Sequence, residues 1–107
     1  MEPTDPALTP IIAEVPEDFS DLVPDYLDGR RAELTTIPEA LARGDFKQIR
    51  TWGHNMAGTG GGLGFEEITL IGRALEEAAV SSDSAAITAS VKRLEKYLAA
   101  LKVVFVP

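Results

Sequence analysis

Apolar residues recur at spacings of three and four along most of this 107-residue chain, and no segment shows the strict alternation of a half-buried strand. This periodicity is typical of helices that bury one stripe of side chains. It predicts an all-α protein, an antiparallel up-and-down four-helix bundle with a short extra N-terminal helix over residues 17–23. The apolar stripes are Tyr26, Leu27, Leu34, Ile37 and Leu41; Phe46, Ile49, Gly53, Met56 and Gly60; Phe65, Ile68, Ile71, Leu75 and Ala79; and Ile87, Val91, Leu94, Leu98, Leu101 and Phe105.

Turn and capping residues mark the ends of the predicted helices. Pro24 suits the first turn of the first long helix, because its missing N–H has no partner there. Asp45 and Asp83 are the expected N-caps of the second and fourth helices. Pro38 falls inside the first helix, where a proline costs about 3 kcal/mol. The capping-box spacing of residues 36–39 therefore predicts a kink or a restart at that point.

The first sixteen residues are the part of the chain without a helical pattern. A long helix is excluded there by Pro3, Pro6, Pro10 and Pro16. We therefore expect an N-terminal arm over residues 1–16 and one helical domain over residues 17–107. Ile11 and Ile12 are the expected points at which the arm attaches to the domain.

Composition excludes several classes of function. The chain has no cysteine, which excludes disulfides, thiolate catalysis and zinc-thiolate sites. A formal net charge of -7 disfavours binding to nucleic acid or to an anionic membrane. No apolar run is long enough to span a membrane, and Glu2 and Asp5 stand where a secretory signal would be basic. We expect a cytoplasmic monomer with neither nucleic-acid nor membrane partners.

The only histidine, His54, precedes five glycines between residues 58 and 64. Imidazole is nucleophilic and largely neutral near physiological pH. Counting 100° per residue places His54 on the outward side of its helix, near Lys47 and Gly58. Glycine costs a helix about 0.5–1 kcal/mol relative to alanine, so the cluster indicates a use beyond stability. Gly58 and Gly61 would let a phosphoryl group and a partner surface approach the ring, and Gly60 would let two helices approach. The alternative is a loop that only ends the helix.

This run resembles the active-site pattern of histidine-containing phosphotransfer (Hpt) domains, H-x-x-K-G-x-G-x-x-x-G, with matching residues at His54, Gly58, Gly60 and Gly64. The resemblance covers residues 17–105. It implies a phosphoryl carrier, not an enzyme. The carrier accepts phosphate on the histidine from a receiver-domain aspartate or a hybrid histidine kinase and passes it to another receiver. It also implies no resident cofactor or metal, since the metal and most catalytic groups belong to the receiver.

The chain departs from the family pattern at Ala57, where the pattern has a lysine that offsets phosphate charge. An exposed charge pair contributes about 0.2–1 kcal/mol, so this loss is small. Arg50 and Lys47, one and two turns before the histidine, are the expected substitutes. Gln48, Thr51 or water could orient the second ring nitrogen. The alternative is an Hpt-like adaptor that binds a receiver or kinase without efficient transfer.

Other chemistries fit the residues poorly. The glycine run lacks the last glycine of G-x-G-x-x-G and the Lys and Ser/Thr of a P-loop. A Ser-His-Asp hydrolase would need a G-x-S-x-G elbow, which the chain lacks. A zinc site would depend on carboxylates that we expect to face solvent on the helix after the glycines, namely Glu66, Glu67, Glu76 and Glu77.

Overall fold

Four α-helices make up most of the computed structural model, which describes residues 9–107. The helices are α1 (Val23–Ala42), α2 (Phe46–Thr59), α3 (Glu66–Val80) and α4 (Ser84–Ala100). Two strands, β1 (Ile11–Pro16) and β2 (Leu101–Val106), stand before and after them, and 3-10 turns cover Glu17–Phe19 and Gly61–Leu63. The mostly helical, four-helix prediction is confirmed, and the two strands are an addition to it.

The helices pack around one core. α1 contacts α2 and α4, and α3 contacts the same two helices. The predicted stripes supply the core, and the third stripe is buried along its whole length. Burial of a large aliphatic side chain stabilises a fold by about 1.5–3 kcal/mol, so these stripes account for most of the packing energy. The largest fully buried residues include Phe65, Ile37, Ile49, Met56, Ile68, Ile71, Leu75, Ile87 and Leu94.

β1 lies in the part of the chain that was predicted to be an N-terminal arm, and it connects this part to β2. It pairs in parallel with β2, and Ile11 lies opposite Leu101. The predicted attachment at Ile11 and Ile12 is made by backbone pairing with Leu101 and Lys102, while these two residues are themselves 41% and 55% exposed. Ala13 and Val15 are buried instead, since alternate residues of a strand face the core. Residues 1–8, with Pro3 and Pro6, lie outside the described residues, and a boundary at residue 16 stays a prediction.

β2 replaces the last turns of the predicted fourth helix. α4 ends at Ala100, and Leu101 is already extended, with φ -69° and ψ 130°. Leu101 and Phe105 therefore lie in the strand rather than in the helical stripe. The sequence LKVVFV is rich in β-branched residues, which favour a pleated surface, and the pairing with β1 gives this preference its effect.

The start and the middle of α1 also differ from the prediction. Residues 17–23 form a single 3-10 turn and the first residue of α1 instead of an extra α-helix. Pro24 does lie in the first turn of α1, as predicted. α1 continues through Pro38 to Ala42, so the predicted restart is wrong. The other alternative, a kink at Pro38, stays a prediction. Ile37 and Ala40, on either side of the proline, are fully buried, and their packing holds the helix together at this point.

The predicted N-caps of α2 and α4 are confirmed. Oδ1 of Asp45 accepts a hydrogen bond from the backbone N–H of Gln48 at 3.1 Å, and Oδ1 of Asp83 accepts one from Ala86 at 3.0 Å. Such caps contribute about 1 kcal/mol each. No helix within residues 9–107 is both long and apolar enough to cross a membrane.

Candidate functional site

Glycines allow α2 and α3 to pack with their backbones in contact. A Cβ on Gly53 would lie 2.7 Å from the backbone N of Glu76 and 2.8 Å from the carbonyl O of Gly72. A Cβ on Gly60 would lie 2.8 Å from the carbonyl O of Phe65. Later residues of α2 thus meet earlier residues of α3, so these two helices are antiparallel. The predicted role of Gly60 in helix approach is confirmed.

This contact places a carboxylate beside the histidine. His54 follows Gly53 on α2, and its side chain is 74% exposed, which confirms the predicted outward direction. Glu76 projects from α3 at the same level, with 29% of its side chain exposed. Nδ1 of His54 lies 3.1 Å from Oε2 of Glu76, within hydrogen-bond distance.

The hydrogen bond bears on which ring nitrogen carries the hydrogen. An ionised carboxylate can only accept, so Nδ1 must carry the hydrogen that it shares with Glu76. In a neutral imidazole the other nitrogen, Nε2, then carries the lone pair. The contact therefore favours the tautomer in which Nε2 carries the free lone pair, and it restrains rotation of the exposed ring.

Two cations lie along the same flank of α2. Lys47, Arg50, Thr51, His54 and Glu76 line one surface depression with a volume of about 330 Å³. Within the described part of the chain, neither Lys47 nor Arg50 has a carboxylate within 4.0 Å. The hydroxyl of Thr51 donates to the carbonyl O of Lys47 at 3.2 Å. The depression thus offers two positive charges that can attract an anion at the histidine.

The residues after the histidine lie outside this depression. Gly58 is exposed, and a Cβ placed on it would have no atom within 4 Å. Ala57 is half-buried, and its carbonyl O accepts from Oγ1 of Thr69 at 3.3 Å. The backbone N–H of Gly61 donates to the same Thr69 oxygen at 2.7 Å. Of these three predicted residues, Gly58 offers open surface, whereas Ala57 and Gly61 are engaged in the junction of α2 with α3.

Glu76 is the site residue that the sequence interpretation missed. It was expected only to face solvent, and the group that orients the ring was left open among Gln48, Thr51 and water. The pairing of His54 with Glu76 depends on the register between α2 and α3. In the sequence, Gly72, one turn before Glu76, is the residue that could have indicated this register. Glu66, Glu67 and Glu77 do not line the depression beside His54. Glu67 pairs instead with Arg93 at 2.6 Å. Among residues 9–107, no three His, Cys, Asp or Glu side chains converge as metal ligands.

A second polar cluster fixes the end of α2 that carries the glycines. Tyr26 stacks on Phe65 with ring centroids 5.9 Å apart, and its hydroxyl lies 2.9 Å from Oγ1 of Thr59. Arg30 lies 4.7 Å from the centre of the Tyr26 ring and pairs with Glu33 at 2.5 Å. Burial by itself would lower the pKa of Arg30, but the Glu33 carboxylate and the Tyr26 hydroxyl together outweigh it and raise that pKa. The cluster ties α1 to α2 and to the start of α3.

The fold and the site define a helical bundle that presents one exposed histidine on a glycine-supported helix. A sequence model of the Hpt domain matches residues 14–103. The chain therefore belongs to the Hpt domain family, the phosphocarrier modules of two-component phosphorelays, which interact with receiver domains and kinases. The resemblance noted from the glycine run is confirmed. No curated protein and no solved structure matches the chain.

Proposed function

We propose that this chain is a phosphorelay intermediate. It accepts a phosphoryl group on His54 from a receiver-domain aspartate or a hybrid histidine kinase and passes it to another receiver. The observation that carries the proposal is the 74% exposed imidazole whose Nδ1 is hydrogen-bonded to Glu76. This arrangement leaves Nε2 as the free nucleophile at the surface of a rigid helix.

The proposed step moves one phosphoryl group between two side chains. The lone pair of Nε2 attacks phosphorus, the Nε2–P bond forms, and the P–O bond to the aspartate breaks, which releases its carboxylate. Nδ1 keeps its hydrogen, so the phosphorylated ring becomes formally cationic. The carboxylate of Glu76, 3.1 Å away, stabilises that positive charge. Transfer to the next receiver reverses the same bond changes.

Ala57 stands where the family pattern has a lysine, and Lys47 and Arg50 supply the positive charge in its place. Both line the depression beside the histidine and can face the phosphate oxygens. Each exposed charge interaction contributes about 0.2–1 kcal/mol, a factor of about 1.4 to 5 in rate. Thr51 is a lining residue of the same depression. Gly58 leaves room for the surface of the receiver.

The overall architecture proposed for this carrier is an antiparallel up-and-down bundle. The connections over residues 43–45 and 81–83 have three residues each, a length typical of antiparallel neighbours. The opposite directions of α2 and α3 at Gly53 and Gly60 agree with it. A cytoplasmic monomer with an arm over residues 1–16 belongs to the same proposal.

A phosphotransfer assay tests the proposal and separates it from the adaptor alternative. The chain is mixed with a phosphorylated receiver domain, and acid-labile phosphate on the chain is measured over time. We expect phosphate on the native chain and none on His54→Gln. Arg31→Gln, an exposed change on α1, serves as the control and should transfer like the native chain. Binding to the receiver without transfer would contradict the carrier function and support the adaptor.

The role of the two cations needs its own variants. Lys47→Gln combined with Arg50→Gln should slow transfer by about twofold to thirtyfold, since two weak charge interactions are lost. Lys102→Gln removes an exposed lysine from β2 and is the matched control. Adding Ala57→Lys to the double variant should recover the rate. A double variant as fast as the control would contradict the assignment of these cations.

A further inference from the structure

The carboxylate beside the histidine is held close to one nitrogen of the ring. Nδ1 of His54 lies 3.1 Å from Oε2 of Glu76. The backbones of α2 and α3 are in contact at this level, because a Cβ on Gly53 would lie 2.7 Å from the backbone N of Glu76. The side chain of Glu76 is 29% exposed, whereas that of His54 is 74% exposed. The carboxylate therefore faces Nδ1 while the rest of the ring is open to water.

A phosphoryl group on Nε2 can be carried by two forms of the ring. If Nδ1 keeps its hydrogen, the ring is a cation and the hydrogen bond to Glu76 is retained. If Nδ1 loses its hydrogen, its lone pair faces an ionised carboxylate, which can only accept. Two acceptors 3.1 Å apart repel each other. The carboxylate of Glu76 therefore favours the cationic form of the phosphorylated ring.

The cationic form is the one that releases its phosphoryl group more easily. When water attacks the phosphorus, a P–O bond forms, the P–Nε2 bond breaks and its electron pair returns to Nε2, while the water gives a proton to the solvent. A ring with a hydrogen on Nδ1 then leaves as neutral imidazole. A ring without that hydrogen would leave as an imidazolate anion, which is a poorer leaving group. Attack by a receiver aspartate breaks the same bond, so the same ring form favours onward transfer.

The other charged residues that line the depression are cations. Lys47 and Arg50 lie on α2, and Glu76 is the charged lining residue that is hydrogen-bonded to the ring. Positive charges beside the ring disfavour its cationic form, whereas a carboxylate in direct contact stabilises it. The hydrogen on Nδ1 of the phosphorylated ring therefore depends on Glu76.

We propose that Glu76 gives the phosphohistidine of this chain a short lifetime, because it holds on Nδ1 the hydrogen that makes the ring a good leaving group. This inference rests on the proposed function, since it concerns the phosphorylated state of His54. The chain is then a transmitter of phosphoryl groups and not a store of them. Phosphate that is not passed to a receiver is lost to water.

A chemical phosphate donor measures this lifetime without a receiver. Each chain is phosphorylated with phosphoramidate, a small molecule that transfers its phosphoryl group to histidine, and the excess is removed. Loss of phosphohistidine is then followed by ³¹P NMR at about pH 8, above the reference pKa of imidazole. The test variant is Glu76→Gln, which has the same shape and whose amide N–H can donate to an Nδ1 without hydrogen.

The phosphohistidine of Glu76→Gln should persist about twofold to fivefold longer than that of the native chain, the factor that one partly exposed charge interaction supplies. The control is Glu77→Gln, the same charge change at the next residue, which does not line the depression. It should match the native chain. At about pH 5, below the reference pKa of imidazole, the ring holds its hydrogen in every chain, so the lifetimes should converge.

Either of two results would overturn the inference. A lifetime in Glu76→Gln that is equal to or shorter than the native one at pH 8 would show that the carboxylate does not promote loss of phosphate. A ratio of lifetimes that is the same at both pH values would show that residue 76 only positions the ring. Neither result affects the proposed function, which fails instead if His54 takes no phosphate from a phosphorylated receiver.

Discussion

Two alanine substitutions in α2 test the helix contact that places Glu76 beside the histidine. Gly53 and Gly58 both lie inside this helix, so either change to alanine gains about 0.5–1 kcal/mol of helix stability. Their surroundings differ. A Cβ at Gly58 meets open space, whereas a Cβ at Gly53 would lie 2.7 Å from a backbone N and 3.0 Å from Cβ of Leu75.

The two substitutions are predicted to change the free energy of unfolding in opposite directions. Gly58→Ala should raise the free energy of unfolding by about 0.5–1 kcal/mol. Gly53→Ala forces α2 and α3 apart, and overpacking of this kind costs about 1–3 kcal/mol. Most of the contacting atoms at Gly53 belong to the backbone of α3 and cannot move as a side chain can. The net effect of Gly53→Ala is therefore a loss of up to about 2.5 kcal/mol.

Urea denaturation followed by circular dichroism measures both variants under the same conditions. The slope against urea should stay constant, so that midpoints report stability. A second readout links packing to the site. Separation at Gly53 should lengthen the bond between Nδ1 of His54 and Glu76, and ¹⁵N NMR of the ring should show less of the Nδ1–H tautomer. Equal stabilities of Gly53→Ala and Gly58→Ala would show that close packing of α3 against Gly53 does not oppose an added Cβ.

Three further changes probe other parts of the molecule. Pro38→Ala should stabilise α1 by about 1–3 kcal/mol in urea denaturation, since it restores a helix hydrogen bond, and no gain would contradict an unbroken helix there. Glu76→Ala should slow transfer by about twofold to tenfold, because a net hydrogen bond contributes about 0.5–1.5 kcal/mol, and an unchanged rate would show that the bond is not used. Burial, helped by the charge of Glu67, raises the pKa of Tyr97 from 10.0 to about 12. Its contribution to stability is therefore complete below about pH 10 and is lost as the pH rises towards 12. Absorbance titration should find a tyrosine that ionises near pH 12, and its absence would contradict this assignment.

The sequence was sufficient for the features that depend on neighbours in the chain. The stripe from Phe65 to Ala79 was predicted in full, because helical periodicity is a local signal. Asp45 and Asp83 were identified as caps for the same reason. The outward direction of His54 follows from its helix angle relative to Ile49. These predictions needed no knowledge of how the helices pack.

The features that the sequence did not predict depend on contacts between residues that lie far apart in the chain. β1 and β2 pair residue 11 with residue 101, and neither short segment shows a strand pattern clear enough without its partner. Glu76 meets the histidine across 22 residues, and its position depends on the register set by Gly53 and Gly72. Pro38 stays within a helix because tertiary packing outweighs the local preference.

The position of the phosphoryl group on the histidine ring is the decisive test of the proposed carrier function. The phosphorylated chain is prepared with ¹⁵N-labelled histidine and examined by ³¹P and ¹⁵N NMR under alkaline conditions, where phosphohistidine persists. We expect one phosphohistidine, at His54, with phosphorus bonded to Nε2 while Nδ1 keeps its hydrogen. Phosphate on Nδ1, or on a residue other than His54, would contradict it.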